Sequence, residues 1–455
     1  MKTKKILVSL LALCMAVVLL ASCNPSSTTQ PSAGPSGSTG ELKDLTDGLE
    51  ALDASKKIYD ANFGEFMALY NDAKENSKSV SERYAKMAIA EAKLLQLATF
   101  LPMTAKGGNY AISRVAPYTI DYANWGSDNE RFHQALVIDG APLLAEHRNE
   151  MKAKWGELKG TGTYEAWAKE YLAGKGYKLK DSYTLAFTSN VEIWDALATS
   201  YASDTEALVN TIDGLYEYDI EGVHKPALAE SYTISEDGKT YTIKLREGVH
   251  WVDSEKRDLG ELTAEDFVAG FQHMLDAAGG NEYLVQGVIK GANEYIAKTN
   301  TDFSTVGVKA ADKYTLVYEL ESATPYFPTM WAYNIFEPMC KSYYEQLGGK
   351  FGTEFDATAE SYKYGKGPDS IAYCGPYVIS GYVKDSSVTF TANPSYWNKD
   401  NINVKTINWK FYDGKDPLAT FNDMMAGTLD GAGLNSSSLV SAKETKVDGT
   451  DKSWY

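Results

Sequence analysis

The sequence predicts a mixed α/β or α+β protein whose strands and helices are interleaved without strict alternation. Two observations carry this prediction. Residues 230–252 alternate apolar and polar side chains on both sides of a turn, and residues 41–100 are rich in alanine and poor in β-branched residues. The chain has 455 residues, of which 44% are hydrophobic. It can therefore fill roughly two to four domains with buried cores, which excludes wholesale disorder.

The charge balance excludes one class of partner. The chain carries 44 Lys and Arg against 61 Asp and Glu, which gives a formal net charge of −17. A nucleic-acid-binding protein needs a basic face to neutralise phosphates, so no nucleic-acid partner is expected. The 31 tyrosines and nine tryptophans suit a core, and they also suit a site for peptides or sugars.

The first 40 residues are expected to be an export signal and a tether. Three lysines precede an apolar run over residues 6–20, which has about the length of the hydrophobic region of a signal peptide. The LASC that follows at 20–23 resembles the bacterial lipobox, in which the cysteine is lipidated and becomes the first residue after cleavage. We therefore predict a signal peptide at 1–22, with a lipidated Cys23 and a flexible linker at 23–40. The alternative is an ordinary secretory signal with an incidental cysteine.

Helical signals occur in three stretches of the body. Apolar side chains recur at spacings of three and four over residues 82–98, which indicates a packing face, and Pro102 ends this segment. Residues 192–216 are also predicted to be helical. Thr263 is the expected N-cap of a third helix, because Asp266 follows three residues later in the pattern of a capping box.

Strand signals are strongest in four stretches. Residues 183–187 alternate as in a half-buried strand, and residues 230–252 form a predicted hairpin around the Glu-Asp-Gly turn at 236–238. Residues 314–320 and 387–391 are further predicted strands. The sheets therefore lie mainly in the second half of the chain.

Cysteine usage leaves one question open. Of the four cysteines, only Cys340 and Cys374 belong to the body, so a disulfide-stapled scaffold is excluded. These two residues could form one disulfide in an oxidising compartment. The alternative is two separate buried thiols.

Five segments, in order along the chain, resemble the motifs of the family 5 extracellular solute-binding proteins, the oligopeptide- and dipeptide-binding components of bacterial ABC importers. The segments are PALAESYTISEDGKTYTIKLREGVHWV (226–252), LTAEDFVAGFQHMLD (262–276), DKYTLVYELESATPYFP (312–328), CGPYV (374–378) and NPSYW (393–397). The resemblance covers about residues 183–435, and none of the segments is a catalytic motif.

The resemblance implies a fold class and a layout of domains. The fold would be α/β, a periplasmic-binding-protein-like two-lobe fold of the class II type. Residues 181–455 would be the solute-binding domain, consisting of lobe I with a small domain inserted at about 225–335. By its likeness to the family the protein would be a monomer.

The chain departs from the family pattern in two ways. It ends at Tyr455, where the family normally continues to build most of a second large lobe, so that lobe is expected to be incomplete. Residues 59–120, within a helical segment at 41–138, resemble the C-terminal end of the family. We interpret this as a circular permutation or the remains of a tandem duplication, with residues 139–180 as a connecting insert. The alternative is an unrelated helical appendage.

The resemblance places ligand contacts at four points along the chain. The candidate residues are Ser189, Asn190, Val191 and Glu192 after the first strand, Tyr283, Asn422, and Lys106, Gly107, Gly108 and Asn109. The alternative for the first group is a strand-to-helix turn capped by Asn190. The alternative for Tyr283 is an ordinary core tyrosine. The other two groups could equally have no ligand role.

The expected function is a lipid-anchored substrate-binding protein on the outer face of the cell membrane. It would capture oligopeptides and deliver them to the transmembrane subunits of an ABC permease. The alternatives are a receptor of the same family for a nickel chelate, haem or an oligosaccharide, or a signalling or adhesion lipoprotein without a transport role.

No enzymatic activity, cofactor or metal is expected, because no nucleotide, metalloprotease or serine-hydrolase motif is present in the sequence and the five histidines lack metal-ligand spacing. The one enzymatic alternative is a glycosidase-like pair, Asp253 and Glu255, beside Trp251.

Overall fold

The computed structural model of the chain describes residues 45–100, 103, 110–123 and 130–445. The chain divides into two compact units, residues 1–64 and 65–455, and of the first unit residues 45–64 are described. The predicted signal peptide, Cys23 and the linker lie outside the described residues. Among the helices of the described part, none has both the length and the apolar character needed to cross a bilayer.

The helices of the described residues are, in chain order, α1 (Leu45–Glu75), α2 (Val80–Gln96), α3 (Ala145–Leu158), α4 (Tyr164–Gly174), α5 (Ala202–Leu208), α6 (Ala264–Ala277), α7 (Ala292–Ile296), α8 (Lys341–Gln346), α9 (Ala419–Ala426) and α10 (Ser436–Glu444). Short 3-10 turns lie between several of them.

The strands are β1 (Ala111–Ser113), β2 (Val137–Asp139), β3 (Lys178–Lys180), β4 (Ser182–Phe187), β5 (Tyr216–Tyr218), β6 (His224–Pro226), β7 (Ala229–Ile234), β8 (Thr240–Leu245), β9 (His250–Val252), β10 (Asp258–Glu261), β11 (Val308–Asp312), β12 (Thr315–Glu319), β13 (Tyr377–Val383), β14 (Ser387–Ala392), β15 (Thr406–Phe411) and β16 (Gly431–Gly433).

The helical prediction for the N-terminal segment is confirmed by α1 and α2. The Ser79 hydroxyl accepts a hydrogen bond from the Glu82 amide at 3.1 Å and so caps the start of α2. The predicted packing face of α2 is only partly covered by described residues, because Tyr84 and Leu95 are exposed while Leu94 is half-buried. The predicted packing face is therefore confirmed only in part among the described residues.

The segment predicted as a connecting insert forms a helical pair with a small core. Met151 of α3 and Tyr164 and Leu172 of α4 are fully buried, and they pack with Ile138 of β2 in one apolar cluster. Strands β2 and β3 pair antiparallel beside this pair. The predicted domain boundaries themselves remain proposals.

A four-stranded sheet with the order β13-β14-β15-β4 carries the element that matters most for the site. Strand β4 lies at its edge and runs parallel to β15, with Leu185 opposite Trp409. The predicted strands at 183–187 and 387–391 are confirmed by β4 and β14. Because β4 is an edge strand, its outer side can receive other groups.

A second four-stranded sheet has the order β11-β12-β8-β7. The hairpin of β7 and β8 confirms the prediction for residues 230–245, whereas His250–Val252 forms the separate strand β9 and pairs with β10. The turn of the hairpin places Gly238 at φ +70°, which glycine adopts without strain. Tyr241, Ile243 and Leu245 of β8 are buried, and the residues between them face outward. The alternating pattern in the sequence therefore does specify the buried face.

Helix α6 begins as predicted. Thr263 and Asp266 form a reciprocal capping box, and the Asp266 side chain accepts the Thr263 amide at 2.8 Å. The same carboxylate accepts the Lys341 amide at 3.0 Å, so it also fixes the start of α8. One acidic residue therefore positions two helices.

The continuous helix predicted at 192–216 is wrong. The segment contains only a 3-10 turn and α5, and it ends in β5. Its polar side chains turn inward: Asp195 pairs with buried His273 at 2.6 Å, and Asp204 accepts the Thr199 hydroxyl at 2.8 Å and the Glu192 amide at 2.9 Å. These tertiary contacts outweigh helix propensity, which is a weak preference.

Cys340 and Cys374 are free and buried in the structure. The disulfide that the sequence allowed is therefore not formed there, and the two residues are separate thiols. Burial raises the pKa of both thiols, which keeps them protonated and unreactive at neutral pH.

Candidate functional site

A cavity of about 430 Å³ opens where β4 ends. Its lining consists of Leu185, Ala186 and Phe187 of β4, Thr188 and Ser189 directly after it, Ser203 and Glu206 of α5, Trp409 of β15, and Glu130. Three parts of the chain that are far apart in sequence therefore meet around one space.

The end of β4 is held in place by contacts on both of its sides. The Phe187 and Trp409 rings lie 5.7 Å apart, and the Phe187 carbonyl accepts the Tyr412 amide at 2.9 Å. On the outer edge, Thr184 and Asp430 exchange two hydrogen bonds of 2.8 Å each. The strand is thus fixed as far as Thr184, and its last residues border the cavity.

The loop that carries Glu130 is fixed by the residues that follow α5. The Asn210 side chain donates to the Glu130 carbonyl at 2.7 Å and accepts the Phe132 amide at 3.2 Å. Arg131 forms a buried ion pair with Asp213 at 3.1 Å. Asn210 and Asp213 directly follow α5, which carries Glu206. Their contacts therefore hold Glu130 close to the helix that carries Glu206.

The charge of the cavity is negative and uncompensated. Glu130 and Glu206 are half-buried, and neither carboxylate has a hydrogen bond or ion pair with another described residue. Burial, together with the charge of Glu206, raises the pKa of Glu130 to about 7. Burial also raises the pKa of Glu206. No residue of the lining is basic.

The raised pKa of Glu130 makes stability depend on pH. Its carboxyl has an ordinary pKa of 4.5 in the unfolded chain and a pKa of about 7 in the folded one, so folding favours its protonated form. The free energy of unfolding should therefore fall as pH rises from 4.5 to 7. Glu130→Gln should stabilise the protein by about 2 kcal/mol at pH 7.5 and leave it unchanged at pH 4.

Urea unfolding at both pH values measures this difference. The charged groups that bear on Glu130 are Glu206 and Tyr183, and Tyr183 titrates far above the range because burial raises its pKa. Glu236→Gln, on the exposed turn between β7 and β8, removes the same charge elsewhere and should show no such pH-dependent gain. Identical pH profiles for wild type and Glu130→Gln would contradict the prediction.

Among the first group of predicted contacts, only Ser189 lines the cavity. Asn190 instead bridges to the turn between β13 and β14: its side chain donates to the Asp385 carboxylate at 2.6 Å and accepts the Asp385 amide at 3.0 Å. Val191 is buried in the core, and Glu192 is exposed. The structure shows Asn190 as a tertiary bridge, so the alternative of a helix cap at Asn190 is wrong.

The other predicted contacts do not meet at this cavity. Tyr283 has 63% of its surface exposed, so the alternative of a core tyrosine is wrong. Asn422 lies exposed on α9 and is outside the lining. Lys106, Gly107, Gly108 and Asn109 lie outside the described residues. Their roles in binding remain predictions.

Ser189 is the one predicted site residue in the lining, and the residues that the sequence did not predict include Glu130, Glu206 and Trp409. Ser203 and Glu206 are three positions apart, so they share one side of α5, and this spacing was an available signal. Glu130 and Trp409 carry no local signal, since only the tertiary fold brings them to β4.

The glycosidase alternative is not supported by the geometry. Asp253 accepts the Glu255 and Arg257 amides at 2.9 Å each, and its other oxygen accepts Arg257 Nε at 2.6 Å. Asp253 therefore holds the turn between β9 and β10. Within the described ranges, no three His, Cys, Asp or Glu residues are grouped so that they could hold a metal ion.

Comparison with known proteins then decides the family. Residues 224–453 match the model of the bacterial extracellular solute-binding proteins, family 5 Middle, which covers about half of the chain. The chain belongs to this family. The members that this model describes are bacterial extracellular solute-binding proteins.

Two curated relatives are named as oligopeptide-binding proteins. The oligopeptide-binding protein AmiA of Streptococcus pneumoniae is 38% identical over 253 residues, which are 56% of this chain and 37% of AmiA. The oligopeptide-binding protein SarA of Streptococcus gordonii is 34% identical over 250 residues, 55% of this chain and 36% of SarA. The chain thus spans well under half the length of these relatives.

Solved structures support the mixed α/β fold. The pheromone receptor PrgZ, described with its mode of peptide binding, has a TM-score of 0.51 and 26% identity over 59% of this chain and 50% of its own. Listeria monocytogenes OppA bound to peptide has a TM-score of 0.51 and 24% identity over 59% and 49%. The incomplete second lobe and the circular permutation remain proposals.

Proposed function

We propose that this chain captures oligopeptides for a bacterial ABC importer and delivers them to the permease. The observation that carries the proposal is the cavity at the end of edge strand β4, in a chain whose relatives AmiA and SarA are oligopeptide-binding proteins. Permease subunits would be its protein partners.

The chemistry of the cavity suits an extended peptide. An edge strand offers backbone groups to which a peptide can add as a further strand, and neighbouring pockets then take its side chains. Phe187 and Trp409 supply apolar walls, while Ser189 and Ser203 supply hydroxyls that can donate or accept. Ser189 is thus the predicted contact that the geometry supports best.

The arrangement of domains is part of the same proposal. Residues 181–455 would form the solute-binding domain, and residues 41–138 would correspond to the C-terminal end of the family through a permutation or duplication. Binders of this kind close two lobes about a hinge over the ligand. One copy of the chain would be enough for this closure over the ligand, so we expect a monomer.

We also propose that Cys23 carries a lipid that holds the protein on the outer face of the membrane. The support is the LASC sequence directly after an apolar run of signal-peptide length. Cys23→Ser should abolish palmitate labelling and release the protein or leave it unprocessed. Unchanged labelling and membrane retention of the variant would contradict lipidation.

A thermal-shift screen with di- to hexapeptides, sugars and metal chelates tests the function. A ligand at about 100 times its Kd should stabilise the chain by about 2.7 kcal/mol. We expect peptides to do so and the other solutes to fail. A shift with a chelate or a sugar alone would replace peptides by that solute, and no shift with any solute would contradict a binding function.

The location of the site needs a matched pair of variants. Ser189→Trp should place a large ring at the exposed rim of the cavity and weaken peptide binding by about tenfold or more. Glu236→Trp, on the turn between β7 and β8, is the control and should bind as wild type does. Equal affinities for both variants would place the peptide elsewhere.

A further inference from the structure

The loop that follows β4 is held by fewer contacts than the strand itself. Phe187 is fixed because its carbonyl accepts the Tyr412 amide, and Glu192 is fixed because its amide donates to a carboxylate of α5. Between these two points lie Thr188 and Ser189, which line the cavity. Within the described residues, neither of them has a hydrogen bond. Their position therefore depends on their neighbours in the loop.

Asn190 makes the hydrogen bonds that reach this part of the loop. Its side-chain amide donates to the Asp385 carboxylate at 2.6 Å, and its side-chain oxygen accepts the Asp385 backbone amide at 3.0 Å. A primary amide carries a donor and an acceptor on one group, so the two bonds fix the orientation of the side chain as well as its distance. Val191, the next residue, is buried in the core. Asn190 and Val191 are thus the anchors that follow Ser189.

The turn that receives Asn190 is a firm support. It connects β13 and β14, and the Ser386 amide closes it by donating to the Val383 carbonyl at 3.1 Å. The Ser386 carbonyl accepts the Phe411 amide at 2.8 Å, at the end of β15. Tyr412, which holds the end of β4, directly follows Phe411. The turn and the end of β4 are therefore tied to two consecutive residues.

Asp385 has a backbone conformation that gains from this contact. Its φ is +57°, in the left-handed region, which is uncommon for residues other than glycine and which Asp and Asn tolerate. Asp385 is exposed, so burial does not hold it there. A glycine would adopt this φ at a lower cost, but it could not accept a hydrogen bond from the Asn190 side chain. The carboxylate therefore has a use in joining the turn to the loop.

We propose that Asn190 and Asp385 are positioning residues for peptide binding. Their reciprocal hydrogen bonds hold the loop after β4 so that Thr188 and Ser189 form a fixed rim of the cavity. A loop that is ordered before the peptide arrives loses less conformational entropy on binding, which raises affinity. This inference rests on the proposed peptide-binding function and adds to it the pair that preorganises the rim.

Exchanging the two side chains tests the inference. Asn190→Asp removes the donor and brings two carboxylates together, so it should weaken peptide binding by about tenfold or more. Asp385→Asn keeps an oxygen that can accept from Asn190, and it should weaken binding by about threefold at most. The double variant restores one donor and one acceptor with their roles reversed. It should bind within about threefold of wild type, so the two changes should not be additive.

Calorimetric titration measures these affinities with penta-alanine and with its two variants that carry lysine or leucine at the centre. Asn300→Asp is the matched control, because Asn300 also bonds through both side-chain atoms, to the Thr305 hydroxyl and the Asp302 amide, in an exposed loop outside the lining. It should bind as wild type does. The unfolding temperatures of all variants should stay within about 2–4 °C of wild type, because the exchanged pair lies near the surface.

The outcomes separate the inference from the proposed function. If Asn190→Asp binds the peptides as tightly as wild type does, the inference is overturned while peptide binding stands. If the double variant binds no better than Asn190→Asp, the pair does not act through its reciprocal bonds, and the inference is again overturned. If none of the three peptides binds the wild-type chain, the proposed function fails and the inference fails with it.

Discussion

Replacing Asp213 with alanine is expected to lower the free energy of unfolding by about 3–5 kcal/mol. Its carboxylate accepts Arg131 Nη1 at 3.1 Å and Trp397 Nε1 at 2.8 Å, and the side chains of both Arg131 and Asp213 are 1% exposed. The alanine variant would leave a buried guanidinium without its carboxylate. Removing one partner of a buried pair costs far more than the pair contributes.

Chemical unfolding followed by tryptophan fluorescence measures this loss. Glu230→Ala is the matched control, because it breaks an ion pair with Lys244 in which both side chains are exposed. Such surface pairs contribute about 0–1 kcal/mol. A loss of less than 1 kcal/mol for Asp213→Ala would show that water or another group replaces the carboxylate. Since Arg131 adjoins Glu130, we also expect the variant to weaken peptide binding.

Replacing Gly375 with alanine should cost about 2–3 kcal/mol. A Cβ atom at this position would lie 2.7 Å from the Ile212 amide nitrogen and 2.9 Å from the Thr211 carbonyl oxygen. Both are backbone atoms, and the Gly375 amide itself donates to the Thr211 carbonyl at 2.9 Å. The clash therefore cannot be relieved by a side-chain rotation.

Gly156→Ala provides the control for the Gly375 variant. Gly156 lies inside α3, and a Cβ atom there would meet no atom within 4 Å. Alanine favours helix over glycine, so this variant should gain about 0.5–1 kcal/mol. Thermal and urea unfolding of the two variants should thus move in opposite directions. A gain in stability for Gly375→Ala would contradict the close approach of the two backbones.

Secondary-structure elements could be predicted where the sequence signal lies within a few neighbouring residues. The hairpin of β7 and β8 follows from alternation around an Asp-Gly turn, and the start of α6 follows from the spacing of Thr263 and Asp266. The prediction of a helix over residues 192–216 is wrong because the apolar content of this segment resembles that of a helix. Buried partners of Asp195 and Asp204 instead hold the backbone in an irregular conformation. Such partners are distant in sequence and cannot be seen in a window of one helix length.

Only the part of the site next to β4, the first strand within the family resemblance, could be predicted from the sequence. Ser189 follows β4 directly, so the motif order placed it correctly at the cavity. Several secondary-structure elements separate Glu130 from β4 along the chain. Trp409 lies on β15 and comes to the cavity because β15 pairs in parallel with β4, from which it is distant in sequence. Both residues therefore come to the cavity only through the tertiary fold, which no local pattern in the sequence reports.

The pairing of β4 with β15 also has a consequence for how the protein is made. Leu185 of β4 pairs with Trp409, and Ala111 of β1 pairs with Gly433 of β16, so both β4 and β1 pair with strands that are synthesised much later. Contacts this distant in sequence form slowly. While the chain is being synthesised, β4 therefore has no strand partner until β15 follows, and an unpaired strand edge is prone to aggregation. The local hairpin of β7 and β8 can fold early, whereas the cavity at the end of β4 is completed only after β15 has been synthesised.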